Sequence, residues 1–151
     1  MGAESINLYT IGYQGMSIEL FLEMLRVNKI ELIIDIREKP FSRNRDFSRK
    51  NLINHLTGSN IEYIHLKQLG SPQKLRDQVR SDHDYDNFFK QYADYLNSQS
   101  ETLTYLYNLM IDKTVCLLCF EKDPQTCHRK IVAEKLAEKT GDSIRIQIIN
   151  L

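Results

Sequence analysis

"ELIIDI", residues 31 to 36, is a nearly continuous apolar run. A strand with one solvated face alternates apolar and polar residues, whereas a run without alternation fits a strand covered on both faces, as in a parallel sheet flanked by helices. Working outward, "NLYTIG" (7 to 12) is a β-branched and aromatic run closed by glycine. After it, Ser17 precedes Ile18, Phe21, Leu22 and Leu25 at helical spacing, so Ser17 is predicted to cap a helix. Beyond a charged loop, Ser48 is expected to open a helix that carries Leu52, Ile53 and Leu56 and stops at Gly58. "IEYIHL" (61 to 66) reads as a third strand and "TVCLLCF" (114 to 120) as a fourth, while "SIRIQII" (143 to 149) alternates and suits a sheet edge. Helical patterning returns at 85 to 97, 101 to 111 and 127 to 139. Strands separated by helices imply βαβ units, because parallel neighbours need long crossovers. The expected fold is a single three-layer α/β domain over residues 1 to 151, with a mainly parallel central sheet of about five strands.

A chain of 151 residues, 42% apolar, has the size and core material of one domain. Twenty basic residues balance twenty acidic ones, so no global field favours nucleic acid, and such a partner would have to meet a local patch. No apolar run approaches the roughly 20 residues that span a bilayer, and no secretory pattern opens the chain, so no membrane partner is expected. Three cysteines form no regular disulfide framework, which favours a reducing cytoplasm. The polar stretch 70 to 87 reads as an ordered lid, a linker or a mobile loop.

In a parallel sheet the C-terminal strand ends share one edge, where ligands of open α/β folds bind. That edge is predicted to hold Tyr13 and Gln14, Asp35 and Arg37, His65 and Lys67, and Cys119 and Glu121. Residues i and i+3 of a strand face opposite sides, so Cys116 and Cys119 are not a redox pair and Cys116 is a small core residue. In "DPQTCHR" (123 to 129), Pro124 and Thr126 suggest a helix start. Cys127 would then lie in the first turn, where the helix dipole, His128 and Arg129 favour a thiolate. The same field suits a bound phosphate or carboxylate. The competing structural reading has Thr126 capping the helix and Arg129 paired with an acid such as Glu121. A zinc site from Cys119, Cys127 and His128, completed by His65 or Asp35, has no recognised structural spacing. The residues point to no metal and no particular cofactor.

In "DIREKPFSRNRDFSRK" (35 to 50), Asp35 ends a buried strand and needs a cationic partner, for which Arg37 or Arg129 qualifies. It is either half of an anchoring ion pair or a general base or substrate-orienting group. Arg43, Arg45, Arg49 and Lys50, interleaved with Phe41 and Phe47, are either a solvated loop or a surface that holds phosphates and stacks bases. His65 is either a satisfied core histidine or ligand-facing. Phe88, Phe89, Tyr92 and Tyr95 fit a core stripe at helical spacing.

"YTIGYQG", "DIREKPFSR", "FSRKNL", "IEYIHLKQLGSP", "FFKQYADYL" and "CFEKDPQTCHR" together resemble the family catalogued as domain of unknown function 488, over essentially the whole chain. Where other members read Gly-His-Ser or a double glycine, this sequence has Gly12-Tyr13-Gln14 and Gly70-Ser71. The resemblance implies an α/β fold and an enzymatic pocket at Asp35, Arg37, Ser42, His65, Cys119, Glu121, Cys127, His128 and Arg129. It supplies no reaction. A looser likeness to rhodanese-type domains lies in "LIIDIRE" and "LLCFEKD", although a tight glycine-rich loop after Cys119 is missing.

The leading expectation is an enzyme that binds a small anionic ligand, phosphate- or nucleotide-like, at the C-terminal edge of the sheet. Cys119 or Cys127 would serve as the thiol and Asp35, Glu121 or His65 as acid-base groups. Tyr13, Arg37, Ser42, Arg43, His128 and Arg129 would bind substrate. The alternatives are a nucleic-acid module that uses loop 37 to 50, or a non-catalytic small-molecule sensor.

Overall fold

The computed structural model describes residues 4–123, 128–141 and 144–151. Its strands are β1 (Glu4–Gly12), β2 (Leu32–Asp35), β3 (Glu62–His65), β4 (Val115–Cys119) and β5 (Ile144–Asn150). Its helices are α1 (Ile18–Val27), α2 (Arg49–Gly58), α3 (Gln73–Asp82), α4 (Tyr85–Leu96), α5 (Ser100–Asp112) and α6 (Arg129–Thr140). The sheet runs β3-β2-β4-β1-β5 with every neighbouring pair parallel.

Every residue of β2 and of β4 is buried, as their unbroken apolar runs require, because helices cover both faces. Phe21 and Leu25 of α1 and Leu52 and Leu56 of α2 pack with Ile11, Ile33, Cys116 and Leu118 on one face. Tyr92 of α4, Leu106 of α5 and Leu136 of α6 pack with Leu8, Ile34, Leu117 and Cys119 on the other. Cys116 and Cys119 thus face opposite layers, as strand parity demands. The stripe Phe88, Phe89, Tyr92 and Tyr95 belongs to the second layer.

β5 is an edge strand with a largely alternating burial pattern. It pairs with Glu4 to Thr10, so β1 starts earlier than its apolar residues alone suggest. Ser17 caps α1, its Oγ accepting from Leu20 N at 3.1 Å. Ser48 precedes α2 without a cap bond, because its Oγ instead accepts from Ser42 N and donates to Ser42 O, each at 3.2 Å. The polar stretch 70 to 87 is ordered: it contains α3 and the start of α4. α3 buries only Leu75 among its ten residues, which is why no apolar stripe announced it. α6 begins at Arg129; the expected cap at Thr126 and the residues Pro124 and Cys127 lie outside the described residues.

Two glycines let the loops at the C-terminal edge approach each other. A Cβ on Gly12 would stand 1.7 Å from the Glu121 carbonyl oxygen, and one on Gly70 would stand 2.5 Å from Glu38 N. No helix among the described residues is long and apolar enough to cross a membrane.

Candidate functional site

α1 and α6 leave the adjacent strands β1 and β4 toward opposite faces of the sheet, which opens a crevice where ligands of such folds bind. A cleft of about 1170 Å³ lies there, lined from segments 13–17, 37–44, 71–88, 119–121 and by His128. Hydrogen bonds from Tyr13 N to Cys119 O (3.3 Å) and from Gln14 N to Phe120 O (2.9 Å) hold the ends of β1 and β4 together beside it.

Arg37 lies on the cleft wall with its charge already matched. Its Nε and Nη2 donate to Asp35 Oδ1 (2.9 Å) and Oδ2 (2.7 Å), and its backbone N–H donates to Oδ1 at 3.1 Å. Nη1 donates to Phe47 O at 2.7 Å and to Tyr13 Oη at 3.2 Å. Burial opposes the charge on Arg37, but the bonds to Asp35 outweigh it and its pKa is raised. Tyr63 Oη donates to Asp35 Oδ2 at 2.5 Å, and burial together with that carboxylate lifts the Tyr63 pKa. Asp35 is fully buried and does not line the cleft, so the geometry gives it an anchoring task. His65 is also absent from the lining, with Nε2 placed 2.6 Å from Arg37 O. Phe47 is not a stacking surface: it is fully buried, and Tyr13 stacks on it with ring centroids 4.4 Å apart. Phe41, in contrast, is 78% exposed at the mouth of the cleft.

Of the residues named as site candidates, Tyr13, Arg37, Ser42, Arg43, Cys119, Glu121 and His128 line the cleft. Cys119 is disulfide-bonded, so in this state its sulfur is not the expected thiolate. Burial raises the Glu121 carboxyl pKa, against the opposing pull of Arg129 and Arg76. His128 Nε2 lies 3.3 Å from Ile36 O, and its ring meets Tyr92 edge-on. Burial pushes its pKa down to about 4, and Arg76 and Arg129 add to that, so His128 is neutral at pH 7.

Arg129 is fully buried and does not line the cleft. Its Nη2 donates to Lys122 O at 3.0 Å, while among the described residues Nε and Nη1 have no hydrogen-bond partner. It forms no ion pair with Glu121, although the two charges feel one another. Among the described residues no group of three His, Cys, Asp or Glu side chains is placed to hold a metal ion.

The family described as Domain of unknown function DUF488 matches residues 17–136. The chain belongs to this family. The match runs from the cap of α1 into α6 and takes in every lining segment except Tyr13 to Met16. Comparison with curated proteins and with solved structures gave no match.

Sequence reading passed over Arg76, Arg80 and His83, all of which line the cleft from α3 and its C-terminal end. Arg76 Nη2 donates to Glu38 Oε1 at 2.9 Å and its Nη1 to Ser71 O, while Lys39 Nζ donates to Gln73 Oε1 at 2.9 Å, tying α3 to the 37–44 loop. The available signal was the i, i+4 spacing of Arg76 with Arg80 and of Leu75 with Val79, which places each pair on one helix face.

Proposed function

We propose that the cleft binds a small anionic, nucleotide-like substrate and acts on it as an enzyme, with Glu121 moving a proton. The observation that carries this reading is the placement of uncompensated charge. Arg43 and Arg80 line the cleft, are exposed, and make no ion pair or side-chain hydrogen bond among the described residues. The deeper charge of Arg37 is cancelled by Asp35. Free guanidinium groups at the mouth of a cleft favour phosphate oxygens, which they hold by charge-assisted bonds. A volume of 1170 Å³ accommodates a nucleotide.

Glu121 fits the role of proton carrier because burial holds its carboxyl above the ordinary range, closer to neutral pH. A thiol contribution from Cys119 belongs to the reduced protein. A dithiol such as dithiothreitol would open the disulfide by giving up two electrons and two protons and closing into its own cyclic disulfide. Cys119 Sγ would then stand at the cleft wall beside Glu121.

Calorimetric titration with AMP and with inorganic phosphate tests the anion site. Saturable binding is expected, weakened roughly tenfold in an Arg43→Gln/Arg80→Gln variant. Absence of binding to both anions, with no shift in melting temperature at millimolar concentrations, would refute it. For the thiol, iodoacetamide labelling of the reduced protein, resolved by peptide mass, should be slowed at Cys119 by AMP.

A further inference from the structure

We infer that the nucleotide is presented by a single-stranded nucleic acid, with its base inserted into the cleft and its phosphodiester chain following the basic segment 39–50. The inference rests on the reading of the cleft as a nucleotide site and deepens it. Two independent observations carry it.

The first is a separation of chemistry with depth. Apart from Phe88 and Cys119, the buried lining is polar, and it carries no uncompensated cationic charge among the described residues. Ser42, Ser71 and Tyr13 are at most 8% exposed, Arg37 is neutralised by Asp35, and His128 is uncharged at pH 7. Tyr13 Oη accepts from Arg37, which leaves its own proton to donate to a ligand, and Ser42 Oγ accepts from Asn44 N in the same way. Hydroxyls and a neutral imidazole suit the carbonyl, amide and ring nitrogen groups of a base. The exposed lining carries the free cations Arg43 and Arg80, together with Phe41 and the 46% exposed Phe120. A ligand matched to this order enters with its uncharged end first and leaves its phosphate at the mouth, where a phosphodiester can continue in both directions.

The second observation is that cationic charge continues past the mouth. Segment 39–50 holds five basic residues and one carboxylate, Asp46, in a chain of zero net charge. Asp46 is occupied by His55, at 3.0 Å, and not by an arginine. Arg45, Arg49 and Lys50 are exposed, lie outside the cleft lining, and make no ion pair or side-chain hydrogen bond among the described residues. A mononucleotide held at the mouth has no use for them. A second and third phosphate spaced along a strand would. The two exposed aromatic rings of the lining, Phe41 and Phe120, also favour an unpaired base, whose face they can stack on, over a base held in a duplex.

The test is a competition series against fluorescein-labelled (dT)12, read by anisotropy, with dTMP, (dT)4, (dT)8 and a hairpin duplex as competitors. The octamer is expected to bind at least roughly tenfold tighter than dTMP, to weaken steeply with salt, and to outcompete the duplex. In an Arg45→Gln/Arg49→Gln/Lys50→Gln variant the octamer should weaken roughly tenfold and its log–log salt slope should flatten by about 2, whereas dTMP affinity should not change. An octamer no tighter than dTMP, a duplex as good as the single strand, or a variant indistinguishable from the parent would overturn this inference and leave the mononucleotide site standing. Octamer binding without any dTMP binding would overturn insertion into the cleft. Failure of every competitor and of the labelled strand would overturn the nucleotide reading as well.

Discussion

Gly12 and Glu121 touch backbone to backbone: a Cβ on Gly12 would lie 1.7 Å from the Glu121 carbonyl oxygen, far inside van der Waals contact. The end of β1 therefore sets where the chain after β4 can run, and with it the positions of Cys119 and Glu121 on the cleft. A Gly12→Ala substitution should push the 119–122 segment away and destabilise the protein by about 3 kcal/mol. Gly58→Ala is the matched control, since nothing lies within 4 Å of the added carbon, and it should be neutral or slightly stabilising. Urea midpoints of the two variants check this.

The Asp35–Arg37 pair is buried, bidentate and further bonded to Tyr63 and Phe47, so removing one partner strands the other. Asp35→Asn should cost about 3–5 kcal/mol. Tyr63→Phe deletes one hydrogen bond to a charged group and should cost about 2 kcal/mol. Equal losses in the two variants, measured by chemical unfolding, would show that the carboxylate is not the hub of this network.

His128 makes stability fall on acidification. Its folded pKa of about 4 is below the ordinary value of 6.5, so between these limits the unfolded chain binds a proton that the folded chain does not. Stability from this group is complete above about pH 6.5 and is lost as the pH drops toward 4, by roughly 3 kcal/mol. Unfolding curves at pH 7, 5.5 and 4.5 should show that slope, and His128→Gln should flatten it.

Glu121 has the opposite sign. Its folded pKa is raised by burial, so the folded state holds a proton more tightly than the unfolded state does. Its favourable contribution is present at low pH and is lost as pH rises through the folded value. Glu121→Gln should therefore be more stable than the parent at pH 8 and converge with it near pH 4. Urea midpoints at those two pH values decide the matter, and a gap that widens at low pH would reverse the assignment.

Residues whose environment is local in sequence announced themselves. The unbroken run "ELIIDI" identified a strand covered on both faces, the parity of Cys116 and Cys119 placed them in different layers, and Ser17 caps the helix it precedes. Helix and strand periods are short-range properties of the chain, so the α/β class and the elements that end at the cleft were readable from residues a few positions apart. Asp35 and Arg37 are two residues apart, so Arg37 stood as one of two partners for Asp35, with Arg129 the other, and the fold selects Arg37.

Strand order and charge compensation were not legible in this way, because they depend on which distant segments meet. β4 inserts between β1 and β2 although more than sixty residues of chain separate it from either. That insertion puts Cys119 and Glu121 beside Tyr13, and it buries Arg129 below the lining while Arg76 and Arg80 of an almost stripe-free helix reach the cleft. A guanidinium is a free anion ligand or a structural strut according to whether a carboxylate stands within a few ångströms. Sequence by itself determined the layers of this protein and the segments that end at the C-terminal edge of its sheet. Tertiary packing alone decided which of its arginines are left uncompensated there, since desolvation and ion pairing act through space and not along the chain.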